Sequence, residues 1–332
     1  MVTNTTKRIL DYIRINKQAK VVDLVRDISI TNSAVHRQLN KLLERGEIMK
    51  VGKPPVVFYI LKEKGEVITT SVPSEVREFI NKNYIYVSPA GEFLTGIEGF
   101  TKWVLSIKQG KYLLPLAIEY VRVRKEADTH IALDGWIDAT QAKVQDVFND
   151  GVLHKLLYKD FYSLEKFGKT QLGQMVLYAK ISQNVRIIDK IVDQIWPVIN
   201  KILQIYNIDT IAYIPPSIKR KVQLMTELKK RLKIRLPEVV LVKVYTGEVT
   251  VSQKSLTKFQ ERVENAKRTI FVDINKSALL PNNVLIIDDA VGSGATIHET
   301  AKQIQQLLKP KGHIIGFAVV GSMKGFEVIR EI

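Results

Sequence analysis

The chain has 332 residues, 45% of them apolar and 25% charged, which suits a core-forming protein of two or three domains and excludes a disordered chain. No apolar run reaches the ~18 residues that span a bilayer, the start MVTNTTKRILDYIRINK lacks the order of a signal peptide, and cysteine is absent; a cytoplasmic protein without membrane contact, disulfides or thiol chemistry is expected. A net charge of +16 favours polyanionic partners without choosing among nucleic acid, anionic membrane and phosphorylated small molecules.

In chain order, residues 5–16 carry Ile9, Leu10 and Ile13 at helical spacing. Val21 to Ile28 repeat it with Val21, Val22, Leu24, Val25 and Ile28, and Thr31 to Arg45 with Val35, Leu39, Leu42 and Leu43. Three short helices are expected, with Thr31 or Ser29 capping the third and Gly46 ending it. EIMKVG, KPP and VVFYIL then read as strand, turn and strand. Three helices and a hairpin over Thr6 to Leu61 resemble the winged helix-turn-helix family. The resemblance implies a third helix in the major groove of double-stranded DNA, presenting Asn32, Ser33, His36, Arg37, Asn40 and Lys41, with Lys53 at the hairpin tip against phosphate or the minor groove. Arginine and asparagine read guanine and adenine by paired contacts, whereas lysine and serine are commoner phosphate ligands. Residues 1–70 hold 13 Lys and Arg against 7 Asp and Glu, net +6, the sign that DNA requires. The alternative is a winged helix that contacts proteins, its charged face merely solvated.

The polar stretch KEKGEVITTSVPSE, with Gly65 and Pro73, reads as a linker. It divides the chain into a DNA-binding domain at 1–70, a connecting α/β segment at 71–150 and a C-terminal domain at 151–332. Within the segment, GEFLTGIEGFTKWVLSIK reads as an amphipathic run bearing Phe100, Trp103, Val104 and Ile107, and YLLPLAIEYVRV as a strand; the tryptophans read as core. Asp128, His130 and Asp134 lie close in sequence without an i, i+4 histidine pair, so no metal site is expected there. From Val152 to Tyr206 the expectation is helix, with VRIIDKIVDQIWPVINKILQIY kinked or divided at Pro197. From Ile208 the short β-rich runs IDTIAYIP, EVVLVKVY, RTIFVD, NVLIIDD and HIIGFAVV alternate with helical segments at Ser217–Arg231 and Thr296–Leu308. That is the pattern of an α/β protein with a doubly wound parallel sheet.

In such a sheet, ligands gather beyond the carboxyl ends of the strands, where VLIIDDAVGSGAT puts Asp288 and Asp289. Gly292, Ser293, Gly294 and Ala295 have too little side chain to block close approach. Backbone amides, the Ser293 and Thr296 hydroxyls and a helix N-terminus can therefore point at one phosphate. Two acids beside that cradle suit the vicinal hydroxyls of a sugar, and a ribose 5-phosphate unit meets both demands. VLIIDDAVGSGAT resembles the phosphoribosyl diphosphate (PRPP) motif of type I phosphoribosyltransferases, departing from it at Ala290, where a larger aliphatic residue is usual, and at Gly292, where Ser or Thr is usual. IAYIPPSIKRKVQLMTELKKRL and VSQKSLTKFQERVENAKRTIFV are similar to the competence-protein-F-like (ComF-like) branch. Pro215, Pro216, Lys219, Arg220 and Gln223 match in the first stretch, and Gln253, Lys254, Leu256, Arg262, Asn265 and Phe271 in the second.

The resemblance covers roughly Asp150 to Val320. It implies PRPP binding by Asp288, Asp289, Val291, Gly292, Ser293, Gly294, Ala295 and Thr296, and diphosphate binding by Pro216, Ser217, Lys219 and Arg220. Lys254 and Arg262 would be the catalytic cations closing over the leaving diphosphate, and Mg2+ would come with PRPP. A winged helix joined to such a domain is analogous in architecture to the Gram-positive purine repressor. The first expectation is accordingly a DNA-binding transcriptional regulator with PRPP or a nucleotide as effector, acting on adjacent half-sites as a homodimer or a dimer of dimers. The second is an active phosphoribosyltransferase with the winged helix as targeting module, and the third a DNA-uptake or mobile-element accessory protein that binds single strands. No residue identifies itself as a general base or a base-specificity pocket.

Overall fold

A computed structural model describes residues 4–16, 18–53, 56–61, 72–88, 92–182, 185–218, 220–244 and 259–322. The chain divides into two compact units, Met1–Thr70 with Lys108–Lys111, and Ser71–Ile107 with Tyr112–Ile332. Among the described residues no helix is long and apolar enough to cross a membrane.

In the first unit α1 (Asn4–Asn16), α2 (Val21–Ile28) and α3 (Asn32–Glu44) precede a hairpin of β1 (Ile48–Lys53) and β2 (Val56–Leu61). The apolar residues at three-to-four spacing close on one another: Ile9, Ile13, Leu24, Val35, Leu39 and Leu42 are wholly buried, and Ile48 and Tyr59 bring the hairpin into the same core. Thr31 caps α3, its hydroxyl accepting from the Ala34 amide at 3.3 Å. Ser29 instead ends α2 in the left-handed conformation, with φ 55°. Gly46 stops α3 at φ 65°, a value that a Cβ disfavours. β1 and β2 pair antiparallel from Ile48 opposite Leu61 to Lys53 opposite Val56. Ala19 exchanges two hydrogen bonds with Tyr59, tying the α1–α2 connection to the hairpin.

The second unit opens with α4 (Ser74–Asn83), β3 (Ile85–Val87), β4 (Phe93–Thr95), α5 (Gly96–Ser106) and α6 (Leu113–Asp128). Next come β5 (Ile137–Asp138), β6 (Lys155–Phe161), β7 (Ser163–Leu164), β8 (Gly168–Lys169), α7 (Gln171–Ser182) and α8 (Val185–Ile205). It continues with β9 (Thr210–Tyr213), α9 (Leu224–Leu232), β10 (Glu238–Val239), β11 (Leu241–Lys243), α10 (Phe259–Thr269) and β12 (Ile270–Val272), and ends with β13 (Val284–Val291), α11 (Ala295–Leu308) and β14 (Ile314–Gly321).

The unit is mixed α/β around a six-stranded sheet of order β10-β9-β13-β14-β6-β5, parallel except for the edge strand β5. Helices cover both faces, so β13 and β14 are buried along Val284–Ile287 and throughout. On one face α7, α8 and α9 pack on Leu157, Ile211, Leu285, Ile287, Ile315 and Phe317. On the other, α11 comes so close that a Cβ on Gly316 would stand 2.6 Å from Ile297 Cγ2. Residues 71–150, expected as a connecting segment, supply the edge strand of this sheet.

Several local expectations are corrected. YLLPLAIEYVRV is helical within α6: Leu113, Leu116, Ala117, Tyr120 and Arg124 are buried at three-to-four spacing, and Ile118, which an alternating strand would bury, is 51% exposed. The supposedly helical region 152–206 contains β6, whose consecutive buried Leu156, Leu157 and Tyr158 reflect an interior strand covered on both faces. EVVLVKVY divides: β10 joins the main sheet, while β11 leaves it to pair antiparallel with β12, which is the RTIFVD run. In the Ser217–Arg231 segment the helix begins only at Leu224. Pro197 does not divide α8, because Ile191, Ile195, Val198, Ile199 and Ile202 keep one buried stripe across it, and that packing outweighs the ~3 kcal/mol an interior proline costs. Trp136 is buried and Trp103 packs against Tyr84, Phe100 and Phe167, whereas Trp196 is 38% exposed and not a core residue. Asp128 pairs with Arg124, Asp134 with Lys201, and His130 lies edge-on against Phe161.

Candidate functional site

The chain leaves β9 through α9 to β10 on one side, and leaves β13 through α11 to β14 on the other. The carboxyl ends of β9 and β13 therefore flank a point where the winding reverses, and open parallel sheets bind ligands at such points. A crevice opens there. Its lining comes from the end of β13, the loop and first turn of α11, residues 214–218, Arg220, residues 222–223 and the start of α9, Lys180 of α7, Lys243 of β11 and Arg262 of α10.

The loop has its shape for local reasons. β13 is apolar through Ile287 because it is central; polar residues begin where it emerges from the helical layers. Gly294 caps α11 at φ 83°, and a Cβ there would stand 3.2 Å from the Lys143 carbonyl and 3.3 Å from Leu156. No other residue type meets both conditions without strain. The first amides of α11 have no partner one turn earlier, so its N-terminus carries a partial positive charge toward the crevice.

Four cationic side chains, Lys180, Arg220, Lys243 and Arg262, line the crevice with two carboxylates, Asp288 and Asp289. Lys180 Nζ donates to Asp289 Oδ1 at 2.6 Å, and both side chains are largely buried. Asp288, 8% exposed, turns one oxygen back to accept from the Asp289 amide at 2.7 Å. Burial pushes the Lys243 ammonium below its ordinary value, against the opposing pull of Asp288. Burial likewise lowers Arg262, which is only 6% exposed. Cations that water solvates poorly gain more from an incoming anion than exposed ones do. The arrangement suits a multiply charged anion that also carries hydroxyls.

Of the residues expected to hold PRPP, Asp288, Asp289, Val291, Gly292, Ser293, Gly294, Ala295 and Thr296 all line this crevice, as do Pro216, Ser217, Arg220 and Arg262. Lys219 and Lys254 lie outside the described residues. Among the described residues no group of three or more His, Asp or Glu could hold a metal ion. Two adjacent carboxylates, Asp288 and Asp289, are a donor set that would hold Mg2+ only in company with phosphates of a ligand, since Mg2+ is commonly held by one or two carboxylates together with substrate phosphates. The sequence reading missed Lys180 and Lys243. Lys180 sits 109 residues from its partner, so nothing local marks it, but Lys243 interrupts the apolar run EVVLVKV and could have been noticed as a charge in a strand.

In the first unit, Asn32, Ser33, His36, Arg37, Asn40 and Lys41 are all exposed on α3, while Val35, Leu39 and Leu42 on its other face are wholly buried. The Lys53 side chain lies outside the described residues. No protein-family model matches the chain, and no curated protein matches it.

Proposed function

We propose that the chain is a DNA-binding transcriptional regulator, in which a winged helix reads duplex DNA through α3 and a phosphoribosyltransferase-like fold takes PRPP or a nucleotide as effector. The observation that carries the reading is the convergence, at the winding reversal, of segments far apart in sequence: the Asp288–Asp289 pair, the small-residue loop, and Pro216, Ser217 and Arg220 in one cation-lined crevice. Ribose hydroxyls would donate to the acids, the 5-phosphate would sit on the loop amides and α11, and the cations would take the diphosphate; Mg2+, arriving with the diphosphate, would be held beside Asp288 and Asp289 and would offset its charge. The exposed polar face of α3 supports the DNA half of the reading, and the net +6 of residues 1–70 supports it by charge. The regulator acts as a homodimer on two half-sites, and the effector controls it by binding DNA-competent and incompetent arrangements with different affinity.

The test is selection of bound duplexes from a random pool by the full chain, with and without PRPP and Mg2+. The expected result is a recovered duplex sequence whose retention changes with PRPP. Retention that falls with salt, shows no sequence preference and ignores PRPP would overturn it. Release of diphosphate from PRPP in the presence of a nucleobase would make the domain a transferase instead.

A further inference from the structure

The small-residue loop is held from behind. Ser322, directly after β14, donates its amide to the Val291 carbonyl at 2.9 Å. The Gly292 carbonyl accepts from two groups, Lys143 Nζ at 2.8 Å and Ser322 Oγ at 3.2 Å, and Lys143 Nζ also donates to Ser322 Oγ at 2.9 Å. Lys143 is 2% exposed and belongs to a single π-helical turn, Gln141–Gln145, a distortion frequent at functional sites. Among the described residues, neither Lys143 nor Ser322 is part of the crevice lining, whereas Val291, Gly292 and Ser293 are.

In a trans peptide the carbonyl and the amide that follows it point in opposite directions. With the Val291 and Gly292 carbonyls drawn back to Ser322 and Lys143, the Gly292 and Ser293 N–H groups turn the other way, toward the crevice. Two successive amides so directed form a nest for an anion. The reverse orientation would aim carbonyl oxygens at a phosphate and repel it. A loop with Gly at 292 and 294 can rotate its peptide planes at little steric cost, so its own sequence does not select between the two orientations. The Ser322 backbone amide selects the observed one for the Val291–Gly292 peptide, and the buried ammonium, with the Ser322 hydroxyl, for the Gly292–Ser293 peptide.

We propose that Lys143, with Ser322 as its relay, is a positioning residue for the ligand's phosphate: it fixes which side of the loop is electropositive without touching the ligand. The inference rests on the ribose-phosphate reading of the crevice and adds to it a determinant outside the family motif. The test uses the full-length chain, ribose 5-phosphate and inorganic phosphate as probes, calorimetry for affinity, and the amide resonances of Gly292 and Ser293.

In the unaltered chain both resonances move downfield on addition of ribose 5-phosphate. Lys143→Met loses about tenfold in affinity and Ser322→Ala about threefold, in line with hydrogen bonds from a charged and a neutral donor. In Lys143→Met the Ser293 resonance no longer moves, whereas that of Gly292, whose peptide carbonyl side is held by the Ser322 backbone amide, still does; Lys143→Gln, which keeps an N–H donor, recovers part of the losses in affinity and in the Ser293 shift. Affinities and shifts that stay unchanged in Lys143→Met and Ser322→Ala overturn the proposal. If Lys143→Met does not unfold cooperatively, Ser322→Ala with the Ser293 resonance decides alone, the Gly292 resonance serving as the internal control. Inorganic phosphate separates this inference from the one beneath it: Lys143-dependent shifts with phosphate, but no pentose binding, would remove the ribose reading and leave the role of Lys143 standing.

Discussion

The outward face of α3 and the crevice at the end of β13 are both candidate binding surfaces, but they are built in opposite ways. On α3 the six candidate residues fall within ten consecutive positions, all exposed, and each stands on a helix whose other face is core. The crevice draws on residues from Lys180 to Thr296; Lys180, Arg262 and Asp288 are buried there, and Lys180 is ion-paired with Asp289. Side chains on α3 should therefore contribute to binding without supporting the fold. Those of the crevice should do both, and changes there should be coupled.

The strongest way to break this comparison is Asp288→Asn combined with Asp289→Asn. Each amide keeps one accepting oxygen but loses the negative charge, so the proposed ribose hydroxyls would lose their charge-assisted acceptors, and calorimetry should detect no PRPP binding while thermal unfolding stays cooperative. Unchanged PRPP affinity would overturn the position of the sugar.

Lys180→Met should come next. It strands Asp289 in a poorly solvated setting, and since the crevice admits some water the cost should be about 2 kcal/mol, below the 3–5 typical of a sealed ion pair. Lys180→Met with Asp289→Leu should recover much of that loss in denaturant unfolding. Strictly additive losses would mean that the pair does not act as one.

On α3 the pattern should invert. Arg37→Ala and Asn40→Ala should each lower preference for the selected duplex by about 1–3 kcal/mol, whereas Lys41→Ala weakens all duplexes alike and reduces the salt slope by ~1. None should change unfolding stability by more than ~0.5 kcal/mol. Equal losses on selected and random DNA for all three would count against base reading by this helix.

The same difference explains what was legible in the sequence. The first three helices and the hairpin were, because burial there follows the 3.6 and 2.0 periods of the local chain. The acid pair and its loop were, because one continuous stretch carries them. Lys143 and Lys180 were not: each acts on a segment more than 100 residues away, which no local pattern encodes. β6 was missed because an interior strand of a parallel sheet lacks alternation, and its short apolar run cannot be told from buried helix by period alone. α6 was missed because Ile118 and the buried Arg124 blur its stripe.

How far the support behind the crevice extends can be asked at Asp138, on the edge strand that leads into the turn bearing Lys143. Its carboxylate accepts from the Thr140 amide at 2.9 Å, from the Thr140 hydroxyl and from Lys155 Nζ at 2.7 Å, and the Thr140 hydroxyl in turn accepts from the Leu156 amide at 3.0 Å. Burial raises the Asp138 carboxyl, but the hydrogen bonds from Lys155 and Thr140 outweigh it and hold the group below the ordinary carboxylate value. A carboxylate whose folded value is depressed contributes stability above its unfolded value of ~3.9 and loses it as pH falls through the folded value. Asp138→Asn should therefore lower the unfolding temperature at pH 7 and at pH 5, by an amount worth under ~1 kcal/mol because the pair with Lys155 is partly exposed and screened. The gap between the two proteins should close as pH falls through the folded value, which lies below the unfolded one, because the native carboxylate is then protonated as well. A gap that persists there would mean that Asp138 holds the turn through shape rather than charge. In either case, any loss of ribose 5-phosphate affinity in Asp138→Asn should stay smaller than that in Lys143→Met, since Asp138 reaches the loop only through the turn that carries Lys143.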